Sequence, residues 1–314
     1  MQEFFQQLIN GLSLGAIYAL IAVGYTMVYG VLQLINFAHG DVFMVGAMLA
    51  LVAATMLGFV GGGAAPAIPP QVAFALCLII AIVACGTLGF LIERLAYRPL
   101  RNRPRINSLI TAIGISLLLE FGGQHPRVFG PTPQPYTVGN LLPGIRMPLV
   151  QIGDVVISRI DAMIFITTVL LMAALTYIVL KTKAGLALRA VSYRFDIAAL
   201  MGVNINRIIS LTFILGSVLA AVAGVLFATK YPRVDPLMGL LPGMKAFVAA
   251  VFGGIGNIAG AVLGGVTIGV VEVMIVGFLP NGSQYKDAVA FVILIVILLV
   301  KPTGLLGKNV VEKV

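Results

Sequence analysis

The sequence predicts an all-α polytopic membrane protein of about nine membrane segments, one of them short and broken, with one small β-hairpin outside the membrane. Three observations predict it. Of 314 residues, 60% are hydrophobic and 10% charged, against about 25% charged in a soluble domain. Mean hydropathy is +1.08. The apolar residues also fall into runs long enough to cross a bilayer, separated by segments that carry most of the basic residues. With 36 glycines and no tryptophan, helix contacts should be made by close backbone approach, and Tyr and Phe must supply the interfacial aromatic belt.

In chain order the apolar windows are 8–32, 40–60, 71–92, 106–122, 160–180, 208–229 and 258–279, with shorter ones at 237–255 and 285–301. The first is preceded by MQEFFQQ, which lacks the basic region of a removable signal peptide. Cys77 and Cys85 share the third window. At about 12 Å apart along a helix they are beyond disulfide reach and read as core residues. Met244 to Phe278 is almost continuously apolar, but one helix of that length would be about 50 Å long against a ~30 Å hydrocarbon core. It must break, and GGIGN at 253–257 is the place. The short segment before the break holds Pro242 as a candidate kink.

Basic residues in short loops orient the chain. Arg94, Arg98, Arg101, Arg103 and Arg105 form one cluster, and Lys181, Lys183, Arg189, Arg194 and Arg207 another. Both are expected in the cytoplasm. The segment between the two intervening spans, 123–159, is then external and has only Arg127, Arg146 and Arg159. The N-terminus falls outside, and the tail with Lys301, Lys308 and Lys313 inside. The external loop is Pro- and Gly-rich from Gly122 to Pro148, then alternates in RMPLVQIGDVVISR around Gly153-Asp154, the signature of a hairpin. Residues 1–314 read as one transmembrane domain with an external loop, 123–159, and a cytoplasmic loop, 181–207.

Several function classes fall away. A net charge of +9 could indicate nucleic acid, but the basic residues are scattered between apolar runs, which topology explains better. No phosphate-binding loop occurs, and the glycines of GGIGNIAG do not follow a strand. Cys and His are too few for a metal cage, and no catalytic constellation lies outside the membrane. Neither a catalytic nor a metal site is expected, nor a cofactor. A transporter, channel or scaffold remains, powered by an ion gradient or a partner.

The polar residues inside the apolar runs are the candidate site. INFAHGD at 35–41 places Asn36, His39 and Asp41 there. A mid-membrane carboxylate costs about 2.5–3.5 kcal/mol on insertion scales, so Asp41 must face protein, water or headgroups. On one reading Asn36 and Gly40 bend a turn and Asp41 caps the second helix. On the other, the turn enters a subunit interface, where Asn36, His39 and Asp41 line a gate. Tyr25 and Tyr29 share a helical face, to line a path or to make structural hydrogen bonds. Glu272 needs a partner or water, in a pathway or in a structural bond. Gly256, Gly260 and Gly264 form a G-x-x-x-G face, and Gly216, Ala220 and Gly224 a small-residue stripe, both suited to close packing or sliding. Gly253, Gly254, Gly256 and Asn257 form a candidate hinge whose freed backbone groups need partners. The loop 181–208 reads as two short helices, the second capped by Asp196 and ended by Gly202, serving as a connector or as a handle for a motor subunit.

The run GLALRAVSYRFDIAALMGVNINRIISLTFILGSVLAAVAG resembles the cytoplasmic coupling segment and following span of branched-chain amino acid ABC transporter permeases. INFAHGDVFMVGA, ERLAYRPLR, MKAFVAAVFGGIGNIAGAVLGG and PTGLLG resemble the same family, in the expected order, and are similar to its LivH-type subunit. The external loop and residues 56–70 resemble it least. The resemblance implies a type II-like ABC importer permease fold in the bacterial inner membrane, not itself an enzyme. It implies a LivM-like second permease, two cytoplasmic ATPases that bind ATP and Mg, and a periplasmic amino-acid-binding protein. It also implies that the loop around Arg194, Asp196, Ala198, Ala199, Gly202 and Asn204 docks on an ATPase, the small residues permitting close approach. The competing class is an ion-coupled secondary transporter or channel using His39, Asp41 and Glu272, centred on 253–257; a scaffold without transport is the third.

Overall fold

The computed structural model describes residues 2–59, 68–101, 103–130, 142–231 and 233–307. The Pro- and Gly-rich stretch at 131–141 and the basic residues Lys308 and Lys313 lie outside them. Among the described residues, eight helices are long and apolar enough to cross a membrane, and a ninth apolar helix is shorter. In chain order the elements are α1 Gln2–Leu32, α2 His39–Met56, α3 Pro70–Leu91, a π-helical segment Ile92–Tyr97, α4 Arg98–Leu100, α5 Arg105–Gly123, β1 Pro148–Ile152 and β2 Val155–Ser158. They continue with α6 Arg159–Lys181, α7 Lys183–Tyr193, α8 Phe195–Leu200, α9 Ile205–Lys230, α10 Leu240–Gly253, α11 Ile258–Phe278 and α12 Gly282–Val300. The nine expected segments and the hairpin are all present.

α1 is the central post. Within its apolar window 94% of residues are buried, against 78% in α2, 72% in α9 and 6% in α12, so α12 turns most of its aliphatic side chains outward. Glycine sets this arrangement, because helices with no Cβ at the crossing bring their backbones together. A Cβ on Gly11 or Gly15 of α1 would overlap the backbone of Val270 or Val266 on α11, and one on Gly265 or Gly269 would overlap α1. The expected stripe on α9 packs in the same way, with Gly224 against Phe43 and Ala47 of α2 and Gly216 beside Gly24 of α1.

The hairpin is antiparallel, pairing Gln151 with Val156 and Ile152 with Val155 across Gly153, whose φ is +62°. Gln6 of α1 holds it by accepting from the Val156 N–H at 2.7 Å and donating to the Val156 carbonyl at 3.1 Å. Ser158 and Asp161 form a capping box that starts α6.

The long apolar stretch breaks where expected, with α10 ending at Gly253 and α11 starting at Ile258. Pro242 does not kink the short segment. It sits in the first turn of α10, where the missing N–H would have no helical partner in any case.

Candidate functional site

The turn 33–38 joins α1 to α2 and is folded into the bundle, with Asn36, His39 and Asp41 all buried. Tyr97, at the end of the π-helical segment, donates to Asn36 Oδ1 at 3.1 Å. The His39 ring is wedged between α1 and α9, where a Cβ on Gly24 would strike it and one on Gly216 would lie 3.5 Å from its Cε1. Tyr25 meets that ring edge-on at 4.7 Å. Tyr25 and Tyr29 border one small hollow with Phe247.

Asp41 lies in the first turn of α2, but its side chain makes no cap hydrogen bond, and Ala38 occupies the cap position. The capping role read from the sequence is therefore corrected: the chain enters α2 in a helical conformation at Ala38, which leaves the carboxylate nothing to cap. Instead the Asp41 carboxylate faces Ser116 and Glu120 of α5, and neither of its oxygens makes a hydrogen bond of standard geometry. Asp41 and Glu120 are two buried carboxylates with no ion pair to a cation among the described residues.

Glu272 is fully engaged. Its carboxylate lies 2.7 Å from Lys245 Nζ and accepts from Tyr18 Oη at 3.0 Å, while Lys245 also reaches Asp287 at 2.5 Å. A second lysine, Lys230, lies 2.7 Å from Asp161 and donates to Ser13 at 2.7 Å. Glu93 in the π-helical segment pairs with Arg101 and accepts from Ser210 Oγ at 2.6 Å. The sequence reading missed Lys230, Lys245, Glu93 and Glu120. A lysine inside an apolar window was the available signal, since it must be paired to stay there.

At the break, Gly254 and Gly256 have φ of +105° and +92°. Asn257 caps α11, accepting from the Gly260 N–H at 3.2 Å, and donates to the Leu306 carbonyl at 2.9 Å. The N–H groups of Leu305 and Leu306 bond the carbonyls of Phe252 and Gly253 at 2.8 and 2.9 Å. The PTGLLG segment therefore supplies the partners that the glycine break needs. Of the predicted G-x-x-x-G face, Gly260 packs on Gly253 and Gly264 on Ala249, whereas Gly256 is part of the break itself.

The loop 181–208 holds the two expected helices, α7 and α8. Thr182 caps α7 by accepting from the Gly185 N–H at 3.1 Å, and Arg189 donates to the Val179 carbonyl at the end of α6 at 2.9 Å. α8 ends in a Schellman motif, with Gly202 N–H to Ala199 O and Val203 N–H to Ala198 O, both 3.0 Å, and Gly202 at φ +81°. Asp196 makes no cap bond, since Arg194 holds the cap position, and Ala198 is buried against its own chain rather than offered outward. Arg194, Asp196, Ala199, Gly202 and Asn204 are exposed. Beside them Tyr193, Leu200 and Met201 are 87%, 86% and 78% exposed. Asn204 caps α9 by accepting from the Arg207 N–H at 3.1 Å. Among the described residues no group of three or more metal-ligating side chains occurs.

A glycine-packed bundle of membrane-length apolar helices with paired charges inside it is the architecture of a polytopic membrane protein. The chain belongs to the family described as branched-chain amino acid transport system / permease component, whose model matches residues 7–298. It is 45% identical over 313 residues, 99% of this chain and 98% of the relative, to the high-affinity branched-chain amino acid transport system permease protein BraD of Pseudomonas aeruginosa. It is 42% identical over 99% of its length to LivH of Escherichia coli strain K12, covering 98% of that protein. It is 28% identical over 92% of its length to a probable LivH of Methanocaldococcus jannaschii, covering 88% of that protein.

Proposed function

We propose that this chain is the permease subunit of a binding-protein-dependent ABC importer for branched-chain or related small amino acids, acting as one transmembrane domain that forms half of the translocation pathway. The observation that carries the reading is 45% identity to BraD sustained over 99% of the chain. In this reading the chain is non-catalytic and holds no cofactor. Two partner ATPases bind ATP and Mg, a LivM-like subunit completes the pathway, and a periplasmic binding protein delivers the amino acid. The N-terminus is outside the inner membrane and the C-terminus in the cytoplasm, which turns 181–207 toward the ATPases. α8 supports this role, since an exposed apolar helix held by a cap at its far end suits a groove on another protein. The buried turn at Asn36, His39 and Asp41 is the gate candidate, with Tyr25 and Tyr29 bordering it.

The test is uptake of radiolabelled leucine into proteoliposomes. We expect uptake only when ATP, both ATPases, the second permease and the binding protein are present. Uptake by this chain alone under an imposed proton gradient would replace the reading with an ion-coupled transporter.

A further inference from the structure

We propose that the π-helical segment Ile92–Tyr97 is the relay between the α8 end of α9 and the buried turn at 33–38, with Glu93 and Tyr97 as its positioning residues. The inference rests on the importer reading above.

The segment, together with Arg101 just beyond it, grips α9 at three successive levels. Arg101 donates to Asn206 Oδ1 at 2.7 Å and pairs with Glu93. Glu93, fully buried, accepts from Ser210 Oγ at 2.6 Å. The Tyr97 ring lies on Phe213 with centroids 5.2 Å apart. On its other side the same segment holds the turn, since Tyr97 Oη donates to Asn36 Oδ1 at 3.1 Å and lies 3.4 Å from the Ile35 carbonyl. α8 is linked to α9 by the four residues Met201 to Asn204, the last of which caps α9. A displacement of α8 is thus delivered to the first turns of α9, which move Glu93 and Tyr97, which in turn move Asn36. Three residues further on stand His39 and then Asp41.

Two features distinguish a relay from ordinary packing. A π-helix is rare and recurs at functional sites. The contacts are also hydrogen bonds and an ion pair around a buried carboxylate, which transmit position directionally, whereas apolar packing would suffice to fill the space.

The experiment uses the whole importer in proteoliposomes, measuring leucine uptake and ATP hydrolysis together in wild type, Tyr97→Phe and Glu93→Gln. Tyr97→Phe keeps the ring on Phe213 and removes only the hydroxyl's contacts with the turn, at Asn36 and Ile35, so it carries the test if Glu93→Gln does not fold. We expect leucine moved per ATP hydrolysed to fall by about five-fold or more, the lower end of usual coupling energies, with ATPase co-purification and basal ATP turnover retained. An unchanged transport ratio, or uptake and ATP turnover falling in parallel, overturns the relay. Wild-type protein that fails to take up leucine with ATP would instead overturn the importer reading, whatever the variants do.

Discussion

Lys245 Nζ lies 2.7 Å from Glu272, and because Lys245 is on α10 and Glu272 on α11 the pair fastens the short helix to its neighbour across the glycine break. Asp287 brings in α12 at 2.5 Å, and Tyr18 brings in α1 at 3.0 Å from Glu272. Removing one partner of a buried pair costs about 3–5 kcal/mol, because it strands the other charge. Lys245→Met should therefore lower the melting temperature in detergent sharply, and Lys245→Met with Glu272→Leu should recover part of the loss. If the double variant melts no higher than the single one, the pair is not what holds α10.

The break at 253–257 depends on the PTGLLG segment. Gly254→Val imposes a side chain on a backbone at φ +105° and pushes it into the Gly307 backbone. Strain of this kind costs about 1–3 kcal/mol before any clash. Gly130 has φ +95° with nothing within 4 Å among the described residues, so Gly130→Ala meets strain but no clash there. Limited proteolysis should release residues 301–307 much faster in Gly254→Val than in Gly130→Ala; equal rates would contradict the interlock.

Close packing of α1 on α11 rests on glycine. Gly269→Leu drives side-chain atoms into the backbone at Gly15, while Gly114 on α5 has nothing within 4 Å among the described residues. The first variant should aggregate or melt early on size-exclusion and thermal assays. Gly114→Leu should stay within about 0.5 kcal/mol of wild type or gain a little helix propensity. Similar behaviour of the two would remove glycine packing as the cause.

Asp41 and Glu120 face each other without a cation among the described residues. Two like charges in a buried site oppose folding, and the gate reading proposed above gives this carboxylate a use in transport. Asp41→Asn should slow leucine uptake while leaving the detergent melting temperature unchanged or raised. A clear fall in melting temperature would make the carboxylate structural.

Gly202→Trp places a large ring on the exposed end of α8 and forces a non-glycine residue to φ +81°. Co-purification of the ATPases and substrate-stimulated ATP turnover should fall several-fold with membrane insertion intact, and Met201→Glu should act in the same direction without backbone strain. Normal turnover in both variants would take α8 out of the coupling surface.

Much of the fold was legible before the structure. Span length is set by bilayer thickness and the apolar run, so all nine segments, the break at GGIGN and the hairpin at Gly153-Asp154 could be placed from local sequence. Local rules misplaced three details. Asp41 and Asp196 looked like caps because capping is judged by residue type, yet the cap positions fell at Ala38 and Arg194, three and two residues earlier. Ala198 looked available to a partner, but a helix has a buried side, and which residue occupies it depends on how the helix is docked. The site was less legible. Asn36, His39 and Asp41 stood out as polar residues in an apolar run, whereas Tyr97, which bonds Asn36, and Ser116, which faces Asp41, carry no such signal.

The sequence by itself determined that this chain spans a membrane, how many times, where it breaks, and which family it resembles, because hydropathy, helix length and motif order are properties of short segments. Tertiary structure alone decided which charges meet. Lys245 finds Glu272, Glu93 finds Ser210, and PTGLLG finds the glycine break only when helices distant in sequence cross. The reason is that a polar group in an apolar interior must be satisfied by whatever lies beside it, and no local pattern says what that will be.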